Sequence, residues 1–191
     1  MANNVSFRVS FKQINKDAAA KLQEMYARFK TDDCNFSDMY VDGEEGSPTY
    51  EETCTRSWNT DNIGSKWCYL EEYDEDGFFG KSAWAAPEQA LYWLAEQLGE
   101  VDPELLMTAS YEDEGPNFAG WMVFDGVDMW DEDHKDDDQL RKVIGEMNPD
   151  VNVDDEDEYY EVLWDGVYEW QSDNFSRVEK EIFNSRDFEI D

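Results

Sequence analysis

The sequence predicts an α+β fold: an antiparallel sheet with two helices on one face, followed by a small acidic α/β extension. Three observations predict it. Up to residue 127, strand-like and helix-like periodicities follow the order β-α-β-β-α-β, with one extra strand. The apolar share (40%) and aromatic share (15%) are too high for a disordered acidic chain. Beyond residue 127 the pattern changes to acidic runs separated by short apolar segments.

Each element has its own signal. Val5, Phe7, Val9 and Phe11 alternate with polar residues, as in a half-buried strand. Asn15 or Asp17 can cap a helix from Ala18 to Lys30, with Ala18, Leu22, Met25, Tyr26 and Phe29 on one face. Residues 31–65 show no period and are expected to form a long loop. Trp67 to Tyr73 and Phe78 to Ala85 read as strands joined by an Asp74-Glu75-Asp76-Gly77 turn. Pro87 suits a first helical turn; Ala90, Leu91, Leu94, Ala95 and Leu98 then form an apolar face, closed by Gly99. Leu105 to Tyr111 and Gly120 to Phe124 read as two more strands.

The first four strands and two helices match the ferredoxin-like arrangement, which leaves the second sheet face available. We therefore expect a ferredoxin-like domain over 1–127 and an acidic helix-hairpin-helix extension over 128–191. In the extension, Leu140, Val143, Ile144 and Met147 carry helical spacing, ended by Pro149. Tyr159 to Trp164 and Val167 to Trp170 flank Asp165-Gly166, a two-residue hairpin signal. Phe175, Val178, Ile182 and Phe183 suggest a closing helix.

Charge bounds the function. The 48 Asp and Glu outnumber the 15 Lys and Arg, for a formal charge of −33 on 191 residues. Residues 1–30 carry a net +4, so the remainder carries −37. Such a field repels nucleic acid and anionic membranes and attracts basic surfaces. No apolar run approaches the roughly 20 residues of a membrane span, and the Met1-Ala2-Asn3-Asn4-Val5 start has no signal pattern. Cys34, Cys54 and Cys68 are odd in number and lack CxxC spacing, which disfavours a disulfide framework or zinc site. A reduced intracellular setting is expected.

Three motifs point further. Asn62-Ile63-Gly64-Ser65-Lys66-Trp67, Ala83-Trp84-Ala85-Ala86-Pro87 and Tyr111-Glu112-Asp113-Glu114-Gly115-Pro116-Asn117-Phe118-Ala119-Gly120 occur in that order. Together they resemble the signature segments of the YubB-like ferredoxin-like family of phages and conjugative plasmids, over residues 1–127. The chain departs from that pattern at Ile63, where the family has Trp, and lacks a Trp-Cys near its start. The resemblance implies the fold and a mobile-element origin, and supplies no activity.

Candidate sites follow from the acids. If Asp154, Glu156 and Glu158 form one strand row, with Asp155 and Asp157 on the other side, neighbours lie about 6.6–6.8 Å apart. Asp131, Glu132, Asp133, Asp136, Asp137 and Asp138 form a second run, in which Asp133 with Asp137 and Asp136 could make a row at helical spacing. Carboxylates so spaced can occupy the places of successive phosphates in a basic cleft. The plain alternative is a solvated acidic surface that recognises nothing.

Asp150, Asn152, Asp154 and Glu161 match EF-hand positions, but Asp155 stands where that loop needs Gly. His134 is the only histidine, and no nucleophile–base pair can be named, so no enzyme and no cofactor are expected. Tyr159, Tyr160, Trp164, Tyr168 and Trp170 are interleaved with acids, which fits a core or a protein interface better than base stacking.

The expectation is a non-enzymatic acidic phage or mobile-element protein in the host cytoplasm. It would mimic nucleic-acid charge and inhibit a basic host defence protein of nuclease, restriction or CRISPR type. It would make no direct contact with nucleic acid or membrane. The alternatives are an acidic interaction module without mimicry, such as a homodimer through the free sheet face, or a calcium-binding protein.

Overall fold

A computed structural model describes residues 3–30 and 34–188. Met1, Ala2 and residues 31–33 of the long segment lie outside the described residues. The chain is α+β, with a six-stranded antiparallel sheet and six α-helices among the described residues. Its elements are β1 (Asn4–Gln13), α1 (Lys16–Tyr26), α2 (Tyr50–Thr53), α3 (Arg56–Asn62), β2 (Cys68–Tyr73), β3 (Gly77–Ala83), α4 (Glu88–Gly99), β4 (Leu106–Asp113), β5 (Phe118–Asp125), β6 (Asp128–Asp136), α5 (Asp137–Met147) and α6 (Glu156–Phe188). The strand order is β2-β3-β1-β4-β5-β6.

Strand alternation sorts the side chains into two layers. Val5, Phe7, Val9 and Phe11 of β1 join Met107, Ala109 and Tyr111 of β4 and Met122 and Phe124 of β5. Ala18, Leu22 and Met25 of α1 and Ala90, Leu91, Leu94 and Leu98 of α4 complete that core. On the opposite side, Leu106 of β4 and Ala119, Trp121 and Val123 of β5 pack with α5 and α6. The adjoining strip of the second side is polar. The β1 residues between its core positions are Ser6, Arg8, Ser10 and Lys12, and those of β4 are Thr108, Ser110 and Glu112. Hydrophobic burial therefore places α5 and α6 over one half of the sheet.

Three expectations need correction. The acidic run 128–136 is a strand paired with β5, from Asp125↔Asp128 to Phe118↔Asp136. The expected boundary after residue 127 thus falls between two hydrogen-bonded neighbours. The Asp165-Gly166 hairpin is absent, because residues 156–188 form one helix. Its buried positions, Tyr159, Leu163, Val167, Trp170, Val178 and Ile182, recur at helical intervals. Gly166 serves close packing: a Cβ there would lie 3.1 Å from Ile144 of α5. The extension is therefore strand-helix-helix. Finally, the aperiodic segment 31–65 contains a 3-10 turn at Phe36–Tyr40 together with α2 and α3. Thr49 and Glu52 cap α2 reciprocally, and Thr55 caps α3.

Candidate partner-binding surface

One end of the sheet gathers several segments. Asn4 pairs with Ala83, Val5 with Asp113, Cys68 with Ser82 and Phe118 with Asp136. The starts of β1, β2 and β5 therefore meet the ends of β3, β4 and β6. α5 begins at this end, where the Asp136 side chain accepts the Gln139 N–H at 2.9 Å and Gln139 reaches back to the Asp136 N–H. This reciprocal cap fixes where the strand stops and the helix starts.

Arg141 brings the second acidic run to the same place. Its Nε donates to Asp137 Oδ2 at 3.1 Å, and its Nη1 donates to the Val153 carbonyl at 2.9 Å. Its guanidinium lies 4.1 Å from the centre of the Tyr159 ring. Burial pushes the Tyr159 hydroxyl up to about 12, with the Asp137 charge adding to this and Arg141 opposing it. One cation thus ties the first turn of α5 to the segment leading into α6. The two helix N-termini favour the carboxylates clustered around them.

The eleven predicted acids divide by what they do. Asp131 accepts from Arg177 Nη2 at 2.9 Å, and Asp133 accepts from Lys135 Nζ at 2.7 Å. Their strand partners are Val123 and Trp121, so both lie on the α5–α6 side. Glu132 pairs with Met122 and lies on the other side, beside Tyr92 and Glu88. Asp136 and Asp137 have the cap and ion-pair roles above. Asp155 accepts the N–H groups of Asp157 and Glu158, capping α6, and Glu158 accepts the Asn152 N–H at 2.9 Å. The carboxylates of Asp138, Asp154, Glu156 and Asp157 make no hydrogen bond or ion pair among the described residues, and all four are exposed.

The predicted rows are therefore corrected. Asp154 and Asp155 sit in a turn and residues 156–158 in a helix, so no strand row exists there. Asp133 and Asp137 lie on different elements and share no helical face. What forms instead is a cluster of acids around two helix starts, with β6 as an acidic sheet edge beside it.

His134 lies on β6, its Nδ1 3.1 Å from Tyr111 Oη. Burial raises the Glu88 carboxyl, the Glu132 charge raises it further, and His134 and Tyr111 oppose. Among the described residues, no group of three or more His, Cys, Asp or Glu is arranged to hold a metal ion. Of the EF-hand pattern, Asp150 and Asp154 precede α6 while Glu161 lies within it.

Sequence reasoning missed Trp84. It is 48% exposed at a φ of +70°, a conformation costly for a bulky residue. The Arg56 guanidinium and Lys66 Nζ lie 5.3 and 4.9 Å from its ring centre. Its N–H donates to the Asn3 carbonyl, and the preceding Ala83 N–H donates to the Trp67 carbonyl. The motif segments around Lys66, Trp84 and Glu114 thus share this end of the sheet, although nothing in the pattern announced the backbone strain. Comparison with family models, curated proteins and solved structures finds no match.

Proposed function

We propose that this chain is a non-enzymatic acidic protein that occupies the nucleic-acid-binding surface of a basic host protein. The observation that carries this reading is the meeting around Arg141 of two acidic runs, 131–138 and 154–158, separated in sequence by the rest of α5 and the turn after it. A basic cleft that engages them gains attraction and releases its own counterions, as it does with nucleic acid. In this reading the first four strands, in the order β2-β3-β1-β4, with α1 and α4 form a ferredoxin-like unit. The three motifs support a YubB-like, mobile-element origin, and a defence nuclease, restriction or CRISPR-type complex in the host cytoplasm is the target class.

Capture of partners from host lysate at two salt concentrations tests this. The combined variant D138N/D154N/E156Q/D157N removes four unpaired charges without touching a cap. Capture should fall at least tenfold with that variant, and at least tenfold between about 50 and 300 mM salt. Retention of the same partner under both changes would overturn the reading.

A second reading, an interaction module without charge mimicry, is favoured by Trp84, because exposed aromatics dominate binding hot spots. Salt-insensitive capture abolished by Trp84→Ala would establish it.

A further inference from the structure

The second face of the sheet is only half covered. α6 is held over β4 and β5 by Gln171, whose Nε2 donates to the Gly120 carbonyl at 3.0 Å and the Tyr111 carbonyl at 3.3 Å. Between α6 and the polar strip of β1 runs a groove. Its wider part, about 590 Å³, is lined by Arg8, Phe79, Glu112, Trp164 and Tyr168. A narrower part, about 200 Å³, continues past Ser10 and Lys12 to Ser172. This size suits a small organic ligand.

Arg8 is the central group. In a chain with 48 acids, its guanidinium makes no hydrogen bond or ion pair among the described residues. It lies 5.4 Å from the centre of the Phe79 ring, a cation–π contact that uses none of its N–H donors. The hydroxyls of Ser10, Ser110 and Ser172 line the groove and make no hydrogen bond among the described residues. Across from Arg8, Tyr168 is 72% exposed and Trp164 44% exposed. They give one wall a flat aromatic surface. Lys12, further along, sits 3.9 Å from Glu179 of α6.

We propose that this groove binds a small molecule joining one oxyanion to a flat ring, with the oxyanion on Arg8 and the ring against Tyr168 and Trp164. A guanidinium with free donors recognises carboxylate or phosphate by paired hydrogen bonds. Burial raises the Glu112 carboxyl to about 6, with Arg8 opposing. In its protonated form it donates a hydrogen bond to the same oxyanion. The surrounding −33 field disfavours polyanions, which restricts the ligand to low charge. An uncharged ring leaves the Arg8 donors unanswered.

Calorimetric titration of the full chain at pH 6 tests the proposal with three probes. Indole-3-carboxylate supplies a carboxylate and a ring, uridine monophosphate a phosphate and a ring, and inorganic phosphate the oxyanion alone. At least one ring-bearing probe should saturate with a Kd below about 1 mM, and inorganic phosphate should bind at least tenfold more weakly. The better ring probe identifies the source of the oxyanion. Arg8→Gln should weaken it at least tenfold and Tyr168→Ala at least threefold, both with melting temperatures close to the parent. Arg8→Lys, which keeps the charge but loses the paired donors, should restore part of the affinity. The D138N/D154N/E156Q/D157N variant should bind as the parent does, so this result stands apart from partner capture. The proposal is overturned if neither ring probe saturates, if inorganic phosphate binds as tightly as they do, or if Arg8→Gln and Tyr168→Ala leave the affinity unchanged.

Discussion

Arg141 shows how much a single side chain organises in an acidic protein. Its bonds to Asp137 and Val153 and its packing on Tyr159 hold the starts of two helices together. Removing it leaves the Val153 carbonyl and a crowd of carboxylates without their cation. Arg141→Ala should cost about 1–3 kcal/mol in urea denaturation; a loss below about 0.3 kcal/mol would mean the link is ornamental.

Glu112 gives a second prediction at this scale. Its carboxyl is raised in the folded state, from an ordinary 4.5 to about 6, by burial, with Arg8 opposing. The folded chain therefore binds this proton more tightly than the unfolded chain. Its contribution is favourable below about pH 4.5 and is lost as pH rises through about 6. Other acids titrate in the same window, so the comparison that isolates it is with Glu112→Gln. That variant should gain about 1–2 kcal/mol on the parent between pH 4.5 and pH 7. A difference that stays flat across this range would refute the assignment.

At the scale of elements, sequence signals were sound where local chemistry decides and misleading where packing does. The β1 alternation and the α1 and α4 faces predicted a strand and two helices, with α1 ending at Tyr26 and not at the expected Lys30, because a period of 2 or 3.6 is itself the burial pattern. Asp165-Gly166 misled, since a glycine wanted for a turn and one wanted for close helix contact look the same. Gly166→Leu separates these roles. Packed against Ile144, it should cost about 1–3 kcal/mol, measured by thermal unfolding; no loss would mean α5 and α6 do not pack there.

The β6 strand was missed because its acids mask its alternation. Met129, Asp131, Asp133 and Lys135 are half-buried, and the residues between them are exposed. As an edge strand it also carries the charge that discourages sheet-to-sheet aggregation. The Asp136 and Gln139 capping box was legible and would have placed the start of α5.

For the whole molecule, charge is the governing quantity. Two packed layers must hold against the mutual repulsion of −33 charges. Added monovalent salt screens exposed charges over about 8–10 Å near physiological strength. The melting temperature should therefore rise by several degrees between about 10 and 300 mM sodium chloride. A fall would show that attractive pairs such as Arg177–Asp131 outweigh the repulsion. The same salt should weaken capture of the proposed basic partner, so that in this reading folding and binding respond in opposite directions.

The sequence by itself determined the α+β class, the first-layer core and the acidic character. It did so because composition and periodicity express burial directly. Only the tertiary structure decided that β6 completes the sheet, that two acidic runs meet around Arg141, and that a polar groove remains beside α6. These depend on which distant segments pack together, and that is set by shape and by shared burial between layers, which no local window of residues contains.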